Sequence, residues 1–310
     1  MSLNTTDKNL NLSVELGKIH LRNPTMLASG ILGISQSIFE RLYHENIGGI
    51  VTKSISVNPM KGYPNPTVIP LGGGSYLNAV GLSNPGVNAF SKELSQNKTI
   101  PIIISLVGSS EKEFSKMVKV FDKLNILGYE INLSCPHVSK MGMEVGDDPE
   151  VVNKIVKTVR MNTTKPISVK VGVGSIDVVE LARVALDAGA NIITAINTLR
   201  AMSIDVETMM PILSNRIGGL SGNAIKPIGI RCVYEISKKL EAPVIGCGGV
   251  SSWKDLIEYM IAGASAVQIG SVLGSTGPRI FNQITKELKN YVEKKGLRNI
   301  SEIIGIAHKY

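Results

Sequence analysis

The 310 residues carry 33 Lys plus Arg against 25 Asp plus Glu, a formal charge of +8, and are 43% hydrophobic and 19% charged. These proportions exclude a disordered polyelectrolyte and a fibrous repeat, and 31 glycines with 14 prolines fit a globular chain with many tight connections. The longest apolar stretches, such as 100–107, stop far short of the roughly 18 residues a membrane span requires, and the first eight residues lack the apolar core of a signal peptide, so a cytoplasmic protein without membrane or metal is expected.

In chain order, residues 12–21 read as a hairpin plugging the bottom of a barrel. Short apolar runs follow at 25–28, 49–52, 101–106, 129–133, 166–171, 192–196, 243–245 and 266–269, each predicted to be a buried strand. Between most of them apolar residues recur at helical spacing, as in Val178, Leu181, Ala182, Ala185 and Leu186. Eight strand–helix units predict a single (β/α)8 TIM barrel over residues 1–310, with no linker to divide it. The connections 53–100 after strand 2 and 197–224 after strand 6 are much longer than the rest, and are expected to form the substrate pocket and its lid.

Polar residues converge where strands end on the carboxyl-terminal face, at Ser29-Gly30, Lys53-Ser54, Ser134-Cys135 and Asn197-Thr198. Strands 7 and 8 run instead into Gly246-Cys247-Gly248-Gly249 and Gly270-Ser271, whose backbone N–H groups are suited to surrounding a phosphate. Glycine also serves tight turns, but two such cradles on adjacent strands favour phosphate. Alternation points Lys170 into the barrel beside Ser168, where a lysine needs an anion to offset its desolvation. Two lysines, Lys53 and Lys170, near a phosphate site fit either a Schiff base or a flavin, whose reduced form carries negative charge that a cation stabilises. A structural salt bridge is the alternative for Lys170, against which few acids are seen on neighbouring strands.

Cys135, Cys232 and Cys247 show no metal or redox spacing, and His20, His44, His137 and His308 are scattered singly. The positive charge is spread along amphipathic segments and reads as a solvated face rather than a nucleic-acid site. Gly172-Val173-Gly174 lacks the third glycine of a dinucleotide fingerprint and reads as a turn.

The segment Glu130-Ile131-Asn132-Leu133-Ser134-Cys135-Pro136-His137 resembles the catalytic loop of class 1 dihydroorotate dehydrogenases. Ala28-Ser29-Gly30, Thr52-Lys53-Ser54, Asn78-Ala79-Val80-Gly81-Leu82-Ser83-Asn84-Pro85-Gly86, Ile196-Asn197-Thr198, Gly218-Gly219-Leu220-Ser221-Gly222, Ile225-Lys226-Pro227 and Gly248-Gly249 extend the resemblance in order along the chain. The segments 78–86 and 197–227 are more similar to class 1B, whose catalytic chains work with an electron-transfer subunit.

That resemblance implies oxidation of (S)-dihydroorotate to orotate in pyrimidine synthesis, with FMN taking hydride from C6 while Cys135 removes the C5 proton. A thiol, with an unperturbed pKa of about 8.5, suits that task. It further implies that Asn78, Asn132, Asn197 and Thr198 hold substrate with Lys53 and the backbone of Gly81 and Leu82. FMN would lie against Ala28, Ser29, Gly30, Lys53, Ser54, Asn132, Lys170, Ile196 and Thr198, its phosphate enclosed by Gly222, Gly248, Gly249, Gly270 and Ser271. The implied partner is an iron–sulfur and FAD subunit joined to a homodimer of this chain. Cys232 is read as an inert hydrophobe and Cys247 is left open. His137 stands where Asn is common in class 1B, and Gly72-Gly73-Gly74 is unusually glycine-rich. Dihydropyrimidine dehydrogenases and flavin-dependent RNA-uridine reductases share part of the Cys135 loop, but ferredoxin-type cysteine runs and an RNA-binding helical domain are absent from this sequence.

Overall fold

Parallel strands buried on both faces need no polar alternation, and the fully buried runs of this chain form such a sheet, closed on itself. The computed structural model describes residues 11–133 and 148–310. Its eight barrel strands, numbered 1 to 8 in chain order, are Thr25–Leu27, Gly49–Val51, Ile102–Leu106, Gly128–Asn132, Ile167–Val171, Ile192–Ala195, Val244–Cys247 and Ala264–Ile269. Each pairs in parallel with the next, and strand 8 closes on strand 1 through Gln268 opposite Met26.

Helices cover the outside because each turns one apolar stripe to the sheet. In helix Glu111–Phe121 that stripe is Phe114, Met117, Val118 and Phe121, and in Val178–Asp187 it includes Val178, Leu181, Ala182 and Ala185. Their starts are written locally: Asp148 accepts from the N–H groups of Glu150 and Val151 ahead of helix Pro149–Asn162, with proline in its first turn. Asp177 caps Val178–Asp187 in the same way. Edge-to-face contacts of Phe90 with Phe39 and Phe121, at 6.4 and 6.1 Å, lock neighbouring helices together.

The hairpin is Val14–Leu16 paired with Ile19–Leu21, turning through Gly17 at φ +61°. It buries Val14, Leu16, Ile19 and Leu21, and Leu21 packs beside Gly49 at the start of strand 2, closing the amino-terminal end. At the opposite end the two long connections do not act separately. Leu199–Met202 and Ile217–Gly222 from one combine with Ser75–Asn78 and Val68–Gly72 from the other into a four-stranded antiparallel sheet. Asn78 stands opposite Gly219 across its central seam.

The glycine run also finds its reason there. Gly72, Gly73 and Gly74 have φ of +83°, +56° and +75°, a left-handed turn that other residues adopt only with strain. The turn docks on the segment after strand 6, where Asn223 Nδ2 donates to Gly73 O at 2.9 Å and Ala224 N donates to Ser75 Oγ at 3.0 Å.

Candidate active site

The polar ends of strands 1, 2, 3, 4 and 6 are joined by a chain of short hydrogen bonds. Ser29 Oγ donates to Ser105 Oγ at 3.1 Å, Ser105 and Ser54 share a bond of 2.9 Å, and Asn132 Nδ2 donates to Ser54 Oγ at 2.9 Å. Asn197 Nδ2 then donates to Asn132 Oδ1 at 3.0 Å, and Asn197 Oδ1 accepts from Thr198 N at 2.9 Å. Four predicted site residues, Ser29, Ser54, Asn132 and Asn197, are therefore brought together. Ser105 was missed because it sits inside the apolar run Ile102–Leu106 and has no local motif; its full burial is the cost that its two hydroxyl partners offset.

Asn78 stands apart from this chain, donating to Gly219 O at 3.0 Å and so sealing the two-loop sheet. Gly81 and Leu82 are consecutive left-handed residues, with φ of +73° and +54°, and such a conformation at leucine persists only where neighbours hold it. Asn84 does the holding: its Nδ2 donates to Leu82 O at 2.8 Å while its Oδ1 accepts from Gly86 N at 2.9 Å and Ser56 N at 3.2 Å. Lys53 is half-buried and forms no ion pair among the described residues, and burial pulls its pKa below the ordinary lysine value. Cys135, the expected base, and His137 lie outside the described residues.

Beneath the mouth lies a second polar layer. Lys170 Nζ donates to Gln268 Oε1 at 2.9 Å and lies 3.6 Å from Cys247 Sγ. Gln268 Nε2 donates to Glu130 Oε2, which also accepts from Thr194 Oγ1 at 3.0 Å, and Thr194 in turn bonds Ser168 at 2.8 Å. One acid, Glu130, stands on the strands next to Lys170, and it reaches the lysine through an amide rather than by direct pairing. Burial opposes the Lys170 ammonium, but the sulfur of Cys247 and the Glu130 carboxylate raise its pKa above the usual value. Burial also pushes the Cys247 thiol up, with Lys170 only partly countering it. Cys232, buried in helix Lys226–Lys239, is pushed up to about 11 by burial, in keeping with an inert thiol.

The glycines divide into two kinds. Gly246 and Cys247 belong to strand 7 rather than to the turn, and a Cβ on Gly246 would stand 2.4 Å from Tyr259 Cδ1, so this glycine serves helix–strand packing. Gly248 and Gly249, at φ +127° and +69°, form the turn itself. A Cβ on Gly249 would lie 2.9 Å from Gly222 O, and one on Gly222 only 2.1 Å from Gly74 O, so three segments meet there backbone to backbone. Gly270 abuts Ala28, whose N–H continues the ladder to Ile269 O at 2.9 Å. Ile196 donates its N–H to Cys247 O at 2.9 Å. Tyr259 OH donates to Gly248 O at 2.8 Å, and Asp255 binds Lys226, Ser251 and Ser252, anchoring the turn from behind. The donor set fits a phosphate-bearing flavin: bare backbone at strands 7 and 8, a buried cation on strand 5, and neutral amides at the mouth.

Comparison with known proteins gives the family. The family model described as dihydroorotate dehydrogenase matches residues 11–292. A protein of Pyrococcus furiosus named dihydroorotate dehydrogenase B (NAD(+)), catalytic subunit, is 41% identical over 97% of this chain and 100% of its own length. Proteins of the same name from Methanothermobacter thermautotrophicus and Geotalea uraniireducens are 40% and 41% identical, over 96% and 95% of this chain and 98% and 97% of their own. With barrel, mouth and glycine turns in place, the chain belongs to the dihydroorotate dehydrogenase family.

Proposed function

We propose that this chain oxidises (S)-dihydroorotate to orotate in pyrimidine biosynthesis, as the FMN-bearing catalytic subunit of a class 1B enzyme in the cytoplasm. The observation that carries the reading is that Asn132 bonds Asn197 at 3.0 Å while standing in register with Lys170 on the next strand, so that amides suited to a pyrimidine lie over a buried cation. Each amide offers donors and an acceptor to a ring of alternating N–H and C=O groups. Asn78, Thr198, Lys53 and the backbone of Gly81 and Leu82 complete the substrate set in this proposal.

FMN, when bound, supplies the acceptor for the hydride leaving C6. Gly222, Gly248, Gly249, Gly270 and Ser271 would hold its phosphate, and Ala28, Ser29, Gly30, Ser54, Ile196 and Lys170 its ring system. Cys135 takes the C5 proton. Lys53, half-buried and with its pKa lowered by burial, stands in this proposal against a substrate that carries a carboxylate. The relatives' name as catalytic subunits supports a second subunit for electron exit, which we assign as an iron–sulfur and FAD protein on a homodimer of this chain. Release of the bound chromophore by denaturation tests the cofactor: about one FMN per chain supports the reading, and a colourless protein that takes up no added FMN contradicts it.

A further inference from the structure

Glu130, Gln268 and Lys170 come from strands 4, 8 and 5 and are 0%, 1% and 5% exposed. The hydrogen-bonding abilities of the three leave one arrangement. A lysine ammonium only donates and a carboxylate only accepts, so the Gln268 amide must turn its oxygen to Lys170 and its NH2 to Glu130. Thr194 gives its proton to the same carboxylate oxygen, and Ser168 therefore donates to Thr194. One positive and one negative group are thus buried together with their partners directed, while Glu130 Oε1 has no partner among the described residues.

We propose that Glu130 and Gln268 are positioning residues for Lys170: the carboxylate, acting through the amide across the barrel, keeps the ammonium charged and fixed between strands 5, 7 and 8. The inference rests on the flavin reading for its purpose, since a fixed cation there would favour the negative charge a flavin gains on reduction. The relay itself is a property of this chain's own residues. Without Glu130 the lysine would lose one of the two groups that raise its pKa against burial, the other being the sulfur of Cys247 at 3.6 Å. The other titratable group facing it is Cys247, whose thiol burial pushes up while Lys170 partly counters the shift.

The test is the titration of Lys170 in the purified enzyme, followed by NMR of isotope-labelled lysine and assigned with Lys170→Met. Glu130→Gln preserves shape and removes the charge; Gln268→Met breaks the relay and leaves the charge. Both should lower the Lys170 pKa by about one unit or more, while Ser168→Ala, which removes a hydroxyl one bond further from the carboxylate, should leave it in place. Gln268→Met should also lower the midpoint potential of bound flavin at pH values above the new pKa. Lys170 titrating alike in parent, Glu130→Gln and Gln268→Met overturns the relay even if flavin is bound. A shifted Lys170 in a chain that binds no flavin keeps the relay and overturns the cofactor site instead. Should Glu130→Gln fail to fold, Gln268→Met decides by the same reading.

Discussion

Asn197 Nδ2 lies 3.0 Å from Asn132 Oδ1 although 65 residues separate them, each amide fixing which way the other points. Asn132→Ala removes the acceptor of that bond and the donor to Ser54, and Asn197→Ala removes its donor. Each variant should slow flavin reduction by dihydroorotate by about two- to tenfold, the value of a lost hydrogen bond. Flavin content should stay normal. Stopped-flow reduction alongside flavin quantitation checks both halves.

Proton removal is assigned to Cys135, so the reductive half-reaction should accelerate as pH rises through the thiol's apparent pKa. Cys135→Ala should lose about 10² to 10⁴ in rate. Cys135→Ser should keep a small rate that still grows at high pH, because an alcohol is a much weaker base when neutral. Reduction of Cys135→Ala at the parental rate would move the proton to another residue.

The Gly248-Gly249 turn predicts a stability effect of its own. Tyr259 is fully buried and donates to Gly248 O at 2.8 Å. Tyr259→Phe should cost about 1 kcal/mol. Gly246→Ala, whose methyl would stand 2.4 Å from the Tyr259 ring, should cost about 1 to 3 kcal/mol by overpacking. Urea unfolding monitored by circular dichroism measures both.

Asp255 makes an acid-sensitive anchor for the same turn. Burial works against its charge, but Lys226 at 2.7 Å, the Ser251 N–H and the hydroxyls of Ser252 and Ser251 outweigh it and hold its pKa below 3.8. A depressed carboxylate contributes stability that is present above its unfolded value and lost as pH falls through the folded one. The loss should therefore begin near pH 3.8 and be complete below the folded pKa. Asp255→Asn should flatten that limb and cost about 1 to 3 kcal/mol at neutral pH, read from unfolding midpoints against pH.

These residues show what a linear sequence reveals. The barrel strands were legible because continuous apolar runs such as 102–106 have few other homes, Ser29, Ser54 and Asn197 because polar residues at such strand ends need a reason, and Lys170 because alternation turns it inward, whereas Asn132 was reached only through the family resemblance. Glu130 and Gln268 were not, since their partners lie 64 and 98 residues away and nothing local marks them. The pairing of Asn78 with Gly219 across 141 residues was hidden for the same reason. Gly246 was misplaced because a packing glycine and a phosphate glycine look alike until Tyr259 is seen against one of them.

We propose that electrons pass from dihydroorotate into a flavin bound by this chain. Anaerobic mixing of the purified protein with (S)-dihydroorotate, watched at the flavin absorption band, tests it most directly. Bleaching at about one flavin per chain with release of orotate is expected, with slow NAD reduction until the electron-transfer subunit is added. A flavin band untouched by dihydroorotate would contradict it.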